Sequence, residues 1–283
     1  MKKKFALVSG SDENYLPFLK KLISSLVSSG SLEIVDLCIF SIDLEKKDLI
    51  DYDSFISYKK NPNFSVKLNF LPKNNWSKLL TERPYLREHF PGYETYIWLD
   101  ADTIVLNKNG IIDLINACND KEISISTENH SDYVHVNNNF GIKNFLGSFY
   151  KINGWSFKNY KKFYSKIVAE NLLFKPLFNN GVFGMKANSS LWFKWQETYK
   201  KVLNICKDDY SLKNDQLSLN VVLYEDLNKV GTLEAVNNWI YKFSKPFYDK
   251  EKKIYLTNSY PRREINIIHY TGYKYGDVSN FKN

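Results

Sequence analysis

Two aspartates, Asp100 and Asp102, follow the apolar run Tyr96-Ile97-Trp98-Leu99, and Thr103-Ile104-Val105-Leu106 comes after them. In an extended chain the side chains of residues i and i+2 point to one side, so both carboxylates can face one ligand. Two negative charges that close are unfavourable unless a positive charge sits between them. A divalent cation with oxygen ligands meets that need, and Mg2+ or Mn2+ keeps coordination positions open for phosphate oxygens. Mn2+ or Mg2+ is therefore the expected cofactor. The competing reading is a turn with two solvated aspartates.

Other chemistries built on Asp-x-Asp fit less well. A calcium-binding EF-hand loop needs an oxygen ligand at its fifth position, which here is Ile104. A haloacid-dehalogenase-type phosphatase carries its nucleophilic strand early and more acidic residues much later. Here about a hundred residues precede the pair, and Gly276-Asp277 lies too near the end to supply another metal-binding segment.

The elements that must position this pair are legible as apolar periodicity. Residues 4–9 form a short apolar run, and 15–29 carry Leu16, Leu19, Ile23 and Leu26 at helical spacing before a capping Gly30. Residues 34–40 read as a buried strand, 44–58 as a weaker helix, 64–70 as another strand, 76–90 as a helix interrupted at Pro84, and 96–99 as a fourth strand. This alternation predicts an α/β fold on a parallel, doubly wound sheet, with ligands beyond the carboxyl ends of the strands. Residues 130–153 read as a long loop of the kind that forms lids or stays disordered. Helices over 155–173 and 189–206, a strand over 182–186, a short helix after Asp215 and a last strand over 264–269 complete the pattern. No repeat or linker interrupts it, so residues 1–283 are expected to form a single domain.

Four segments occur in a telling order: the Asp-x-Asp strand, Phe178-Asn179-Asn180-Gly181-Val182-Phe183-Gly184-Met185, Asp215-Gln216-Leu217-Ser218-Leu219-Asn220, and His269-Tyr270-Thr271-Gly272. Together they resemble the GT-A glycosyltransferases, and most closely glycosyltransferase family 8, which contains glycogenin and bacterial lipopolysaccharide galactosyl- and glucosyltransferases. The resemblance spans residues 5–272. It implies a nucleotide-diphospho-sugar transferase fold, with a Rossmann-like, mostly parallel central sheet flanked by helices. It also implies a UDP-sugar donor, a glycan acceptor and retention of anomeric configuration.

By that resemblance Asp100, Asp102 and His269 are the metal ligands, with Ala101 between the two aspartates beside the donor. The segment Val8-Ser9-Gly10-Ser11-Asp12-Glu13-Asn14-Tyr15 looks like the nucleotide-binding turn, with Asp12 and Asn14 on uracil and Tyr15 stacked on it. Read from the residues alone, Asp12 would cap a helix and Tyr15 would pack in the core. Arg83 matches a sugar-binding cation, with Arg87 a nearby competitor. Asn179 and Asn180 match residues around the donor sugar and acceptor, and Asp215 and Gln216 the pair facing the reacting carbon. Gly272 matches a diphosphate contact. The family usually continues Gly-x-x-Lys-Pro-Trp, whereas here Tyr273-Lys274-Tyr275-Gly276 follow Gly272. Lys274 stands one position early, and Pro and Trp are missing.

Composition narrows the alternatives. Hydrophobic residues make up 43% and charged residues 25% of 283, an ordinary globular balance. Cys38, Cys118 and Cys206 are odd in number and far apart, so neither a disulfide framework nor a zinc site is expected. A sequence pI near 9.0 raises nucleic acid as a partner, but no recognised binding module or dense basic run accompanies it. The residues after Met1-Lys2-Lys3-Lys4 are apolar only as far as Val8, too few for a secretion signal, and no run is long enough to span a bilayer. A cytoplasmic protein is expected. The charge is uneven: net −3 over residues 1–140 and net +11 over 141–283. Residues 149–166 interleave seven aromatics with five lysines. That pattern suits peripheral contact with the inner face of a membrane and a lipid-linked acceptor, or an ordinary amphipathic helix with solvated lysines. The competing function is a non-catalytic protein that binds nucleotide sugars or anionic glycans. An intact metal triad speaks against it, since binding alone has no leaving group to stabilise.

Overall fold

The computed structural model describes residues 2–133 and 154–273. In chain order its first half carries β1 (Phe5–Ser11), α1 (Leu16–Ser28), β2 (Val35–Ser41), β3 (Tyr58–Lys60), α2 (Ser77–Glu82), α3 (Leu86–His89), β4 (Thr95–Leu99), β5 (Thr103–Val105), α4 (Asn109–Asp120) and β6 (Ile123–Thr127). The second half carries α5 (Trp155–Phe163), α6 (Lys166–Leu172), β7 (Phe178–Lys186), α7 (Leu191–Leu203), α8 (Asn214–Glu225), β8 (Val230–Leu233), β9 (Trp239–Ile240), β10 (Phe247–Asp249), β11 (Ile254–Leu256) and β12 (Ile267–His269).

Seven strands form the main sheet in the order β3-β2-β1-β4-β7-β6-β8. β1 pairs parallel with β2 and β4, β2 with β3, and β6 with β8, whereas β7 runs antiparallel to both β4 and β6. Alternation along β1 sends Leu7 to one face and Ala6 and Val8 to the other. On the first face α1 covers the sheet with Phe18, Leu19, Leu22, Ile23 and Leu26, all buried, each worth about 1.5–3 kcal/mol when removed from water. On the second face α7 packs Trp192 and Trp195, whose rings stack at a centroid distance of 6.3 Å. The fold class is the expected one.

A second sheet, β5-β12-β9, stands beside the end of β4. β12 runs antiparallel to β5, with Ile268 opposite Ile104 and His269 opposite Thr103. This pairing carries residues from the end of the chain to the exit of the Asp-x-Asp turn.

Several sequence expectations are corrected. Residues 64–70 are not a strand: the edge beside β2 is taken by Tyr58–Lys60, and polar groups of the later segment find partners outside the sheet. There Glu82 accepts from the Ser65 backbone N–H at 2.8 Å, and Asn69 Nδ2 donates to the Asn204 carbonyl at 2.6 Å. The helix over 44–58 is instead 3-10 turns over Lys46–Phe55, broken at Leu49, the one buried side chain in that stretch. The helix over 155–173 is two helices, because Ser165 leaves helical geometry and caps α6 by accepting from the Val168 N–H. The helix at Asp215 is longer than expected and holds Asp215 in its first turn. Among the described residues no helix is long and apolar enough to cross a membrane.

Candidate active site

β4 ends at Leu99, and the chain turns sharply before β5 begins. The Asp100 carbonyl accepts from both the Thr103 N–H (3.1 Å) and the Thr103 hydroxyl (2.8 Å). The two aspartates therefore converge through a turn between two sheets, and not through alternation along one strand as the sequence suggested. Backbone bonds fix this turn on both sides: Asp100 N–H donates to the Gly181 carbonyl at 2.7 Å, and Tyr270 N–H to the Asp102 carbonyl at 2.8 Å.

His269 Nε2 lies 3.3 Å from Asp102 Oδ1 and 3.7 Å from Asp100 Oδ2. One ligand atom from each of the three residues lies within 4.8 Å of the others, a cluster fit to hold a metal ion. The other ring nitrogen, Nδ1, sits 3.0 Å from Asn238 Oδ1, so with Nδ1 protonated the Nε2 lone pair faces the carboxylates. Burial alone would lower the His269 pKa, but Asp102, then Asp100, raise it above its ordinary value. The site thus calls for positive charge. Space for it depends on Gly181, where an added Cβ would lie 2.3 Å from His269 Cε1 and 2.7 Å from Asp100 Oδ2. Donor set, tautomer and space all fit a divalent cation.

Arg83 is buried and bridges two carboxylates, with Nη2 2.8 Å from Asp100 Oδ1 and Nη1 2.8 Å from Asp215 Oδ2. Its guanidinium lies 4.8 Å from the Trp98 ring centroid, and Trp98 Nε1–H donates to the same Asp100 oxygen at 2.7 Å. Asp100 Oδ1 is thereby committed, and Oδ2 is turned toward His269. Arg87 instead reaches the Ala187 carbonyl and Glu88, and of the two arginines Arg83 lines the cleft described below. Burial pushes the Asp215 carboxyl up to about 6, against the opposing pull of Arg83 and of the Asn180 amide, which donates to it at 2.9 Å.

These groups line a cleft of about 470 Å³. It gathers Asp12, Tyr15, Arg83, Asp100, Ala101, Asp102, Asn180, Asp215, Gln216, His269 and Gly272 of the residues expected from sequence. Asp12 caps the turn at Glu13–Tyr15 by accepting from the Tyr15 N–H at 3.1 Å, while the Tyr15 ring stays partly exposed over Phe18. The capping aspartate is as the residues alone suggest, whereas Tyr15 does not pack in the core: it is exposed and lines the cleft. Two expected residues do not line it. Asn14 is exposed, and its amide lies 3.4 Å from Asp12. Asn179 is buried behind the site. Lys274 lies outside the described residues, as do residues 134–153, most of the expected loop.

Asn179 belongs to a hydrogen-bond chain that the sequence did not reveal. Asn238 Nδ2 donates to Asn179 Oδ1 at 3.0 Å, and Asn179 Nδ2 to Glu128 Oε1 at 2.8 Å. Gln216 Nε2 also donates to Glu128 Oε1, at 2.9 Å, and to the Phe178 carbonyl at 3.0 Å. The chain therefore runs from His269 through Asn238, Asn179 and Glu128 to Gln216. With both amide N–H groups used, Gln216 has its carbonyl oxygen left for the cleft. Burial raises the Glu128 pKa, opposed by the Asn179 and Gln216 amides. Nothing local in the sequence marks Glu128 or Asn238. Trp98 did carry a signal, since it stands two residues before Asp100 and alternation puts it on the same side.

The basic aromatic stretch is partly outside the described residues. In the described part Tyr160 and Phe163 are buried, Trp155 lines the cleft, and Lys158, Lys161 and Lys162 are exposed. Among the described residues of this stretch Tyr160 and Phe163 turn inward while Trp155, Phe157 and Tyr164 are half-buried, the arrangement of an amphipathic helix with solvated lysines.

The model of the family described as Glycosyl transferase family 8 matches residues 6–275. No curated protein matches the chain. Among solved structures, the galactosyltransferase LgtC with donor and acceptor sugar analogs is similar with a TM-score of 0.51 at 14% identity, covering 94% of this chain and 87% of that one. Mouse xyloside xylosyltransferase 1 is similar with a TM-score of 0.55 at 13% identity, covering 95% and 98%. The bifunctional glycosyltransferase WbbM gives a TM-score of 0.59 at 14% identity, covering 97% of this chain and 47% of the longer protein, so the chain spans about half of it. At these identities the likeness is one of fold.

Proposed function

The chain belongs to glycosyl transferase family 8 and is a glycosyltransferase of the GT-A fold, and we propose that it moves a hexose from a UDP-sugar to a glycan acceptor with a divalent cation held by Asp100, Asp102 and His269. The observation that carries the proposal is the convergence of those three ligands with the Arg83–Asp215 pair in one cleft.

When bound, Mn2+ or Mg2+ would neutralise the charge that builds on the leaving diphosphate. The chain's own residues do the rest. Tyr15 offers its ring to the base, and Asp12 fixes the turn that presents it. Arg83 holds Asp100 and Asp215 at a set separation, so that a sugar between them meets a committed carboxylate on either side. Asp215 and the Gln216 carbonyl face the reacting carbon, where the acceptor oxygen bonds on the face from which the diphosphate departs and passes its proton to the departing diphosphate oxygen. Retention of anomeric configuration is part of the proposal and rests on the family's pattern at Asp215-Gln216.

A panel of nucleotide sugars tests this reading. With Mn2+ present, hydrolysis is expected for one or more UDP-hexoses above all GDP- and CMP-linked donors. Equal or faster turnover of a GDP-sugar would overturn the nucleotide assignment, and proton NMR of a product with the donor's configuration inverted would overturn retention.

A further inference from the structure

A positioned ammonium stands at the cleft beyond Asp215. Lys213 Nζ lies 5.7 Å from the Trp76 ring centroid and 5.2 Å from that of Tyr210. Lys213 ends the 3-10 turn Asp209–Lys213, which leads directly into α8, two residues before Asp215. Trp76, Trp155 and Lys213 line the same cleft as Asp215 and Gln216.

The frame around this ammonium is built. Asp209, itself buried, accepts from the Lys73 N–H at 3.0 Å, the Asn74 N–H at 2.9 Å and Asn74 Nδ2 at 2.6 Å. Those bonds clamp the segment leading to Trp76 onto the turn that carries Tyr210 and Lys213. Arg83 and Lys213 are the cations lining the cleft among the described residues. Arg83 is committed to Asp100 and Asp215, whereas no ion pair among the described residues engages Lys213. An exposed lysine held over two aromatic rings keeps its charge available to a ligand.

An aromatic face beside a point charge suits a ring with an anionic substituent. Resting on the transferase reading above, we infer that the acceptor is an acidic sugar, with a carboxylate or phosphate drawn to Lys213 and its ring laid against Trp76, which brings its hydroxyl toward Asp215 and Gln216.

The test compares paired acceptors, a methyl glucuronide against the methyl glucoside and a hexose phosphate against the hexose, using the full chain with Mn2+ and its UDP-sugar. The parent is expected to favour the acidic member by about tenfold in kcat/KM, and Lys213→Met to bring the two close to equality. Trp76→Ala is expected to weaken both members of a pair alike. No preference in the parent, or a preference that survives Lys213→Met, overturns the inference. Calorimetry of UDP with Mg2+ separates the other anion in the cleft: weaker UDP binding by Lys213→Met with the acceptor preference intact places the ammonium on the donor diphosphate and also overturns it. Should every donor fail to turn over, the transferase reading falls. Calorimetric titration of the same acceptor pairs into UDP- and Mg2+-loaded protein then still decides whether the acidic members bind through Lys213.

Discussion

His269 Nε2 sits 3.3 Å from Asp102 Oδ1 because the backbone brings the two together across a sheet. His269 is paired with Thr103, the residue after Asp102, and the next N–H, that of Tyr270, donates to the Asp102 carbonyl. Residues 167 positions apart in sequence are thus joined through main-chain bonds. The candidate metal ligands are thereby held by the strand pair that carries them.

The first prediction concerns the space within that site. Gly181→Ala places a Cβ against His269 and Asp100 Oδ2 and should cost about 1–3 kcal/mol of stability by overpacking. It should also weaken Mn2+ binding at least about tenfold, since ligand geometry must shift. Denaturant titration and Mn2+ calorimetry check the two effects. An alanine variant that binds Mn2+ like the parent would show that the cation sits elsewhere.

The second concerns the imidazole's outer partner. Asn238→Ala removes the acceptor for His269 Nδ1–H and frees the ring to turn. Loss of such a partner weakens metal binding about 10–100-fold in comparable sites. Unchanged Mn2+ affinity would mean that burial alone orients His269.

The third concerns Trp98. Trp98→Phe keeps the aromatic face over Arg83 and deletes the N–H that occupies Asp100 Oδ1. Metal affinity should fall while folding is largely kept, and indole emission quenched by Mn2+ in the parent should lose that component in the variant. Quenching of equal depth in both proteins would contradict the contact.

The fold and the site were legible to different depths. β1, α1, β2 and β4 are apolar runs bounded by polar turns, so periodicity alone locates them. The 64–70 segment has the same alternation, yet its partners are the Glu82 carboxylate and a distant carbonyl, which no local pattern reveals. Asp100, Asp102 and His269 stand out by residue type and order, although the geometry that joins them is a turn plus a long-range strand pair. Glu128 and Asn238 stayed hidden because their importance comes from neighbours supplied by three separate segments, those of Asn179, Gln216 and His269. Lys213 read as one lysine among many until Trp76 was placed beside it.

The fourth prediction is a pH dependence set by Asp215. Its carboxyl is raised in the folded protein, from 3.8 to about 6, chiefly by burial. Between those values the folded state holds a proton that the unfolded state has released, so stability falls as pH rises through this window. In metal-free protein, the stability of Asp215→Asn relative to the parent should therefore improve as pH rises from 3.8 to about 6. Urea titrations across the window measure it. A difference that stays flat, or moves the other way, would show that Arg83 outweighs burial.

The most direct test of the account is the rate of UDP-hexose hydrolysis before and after EDTA, followed by readdition of Mn2+, in the parent and in Asp102→Asn. The parent should lose nearly all turnover with EDTA and regain it with Mn2+, and Asp102→Asn should stay at least about a hundredfold slower with Mn2+ present, a loss of some 2.7 kcal/mol in transition-state stabilisation. Turnover indifferent to EDTA, or an Asp102→Asn variant as fast as the parent, would contradict a metal-dependent transferase built on these three ligands.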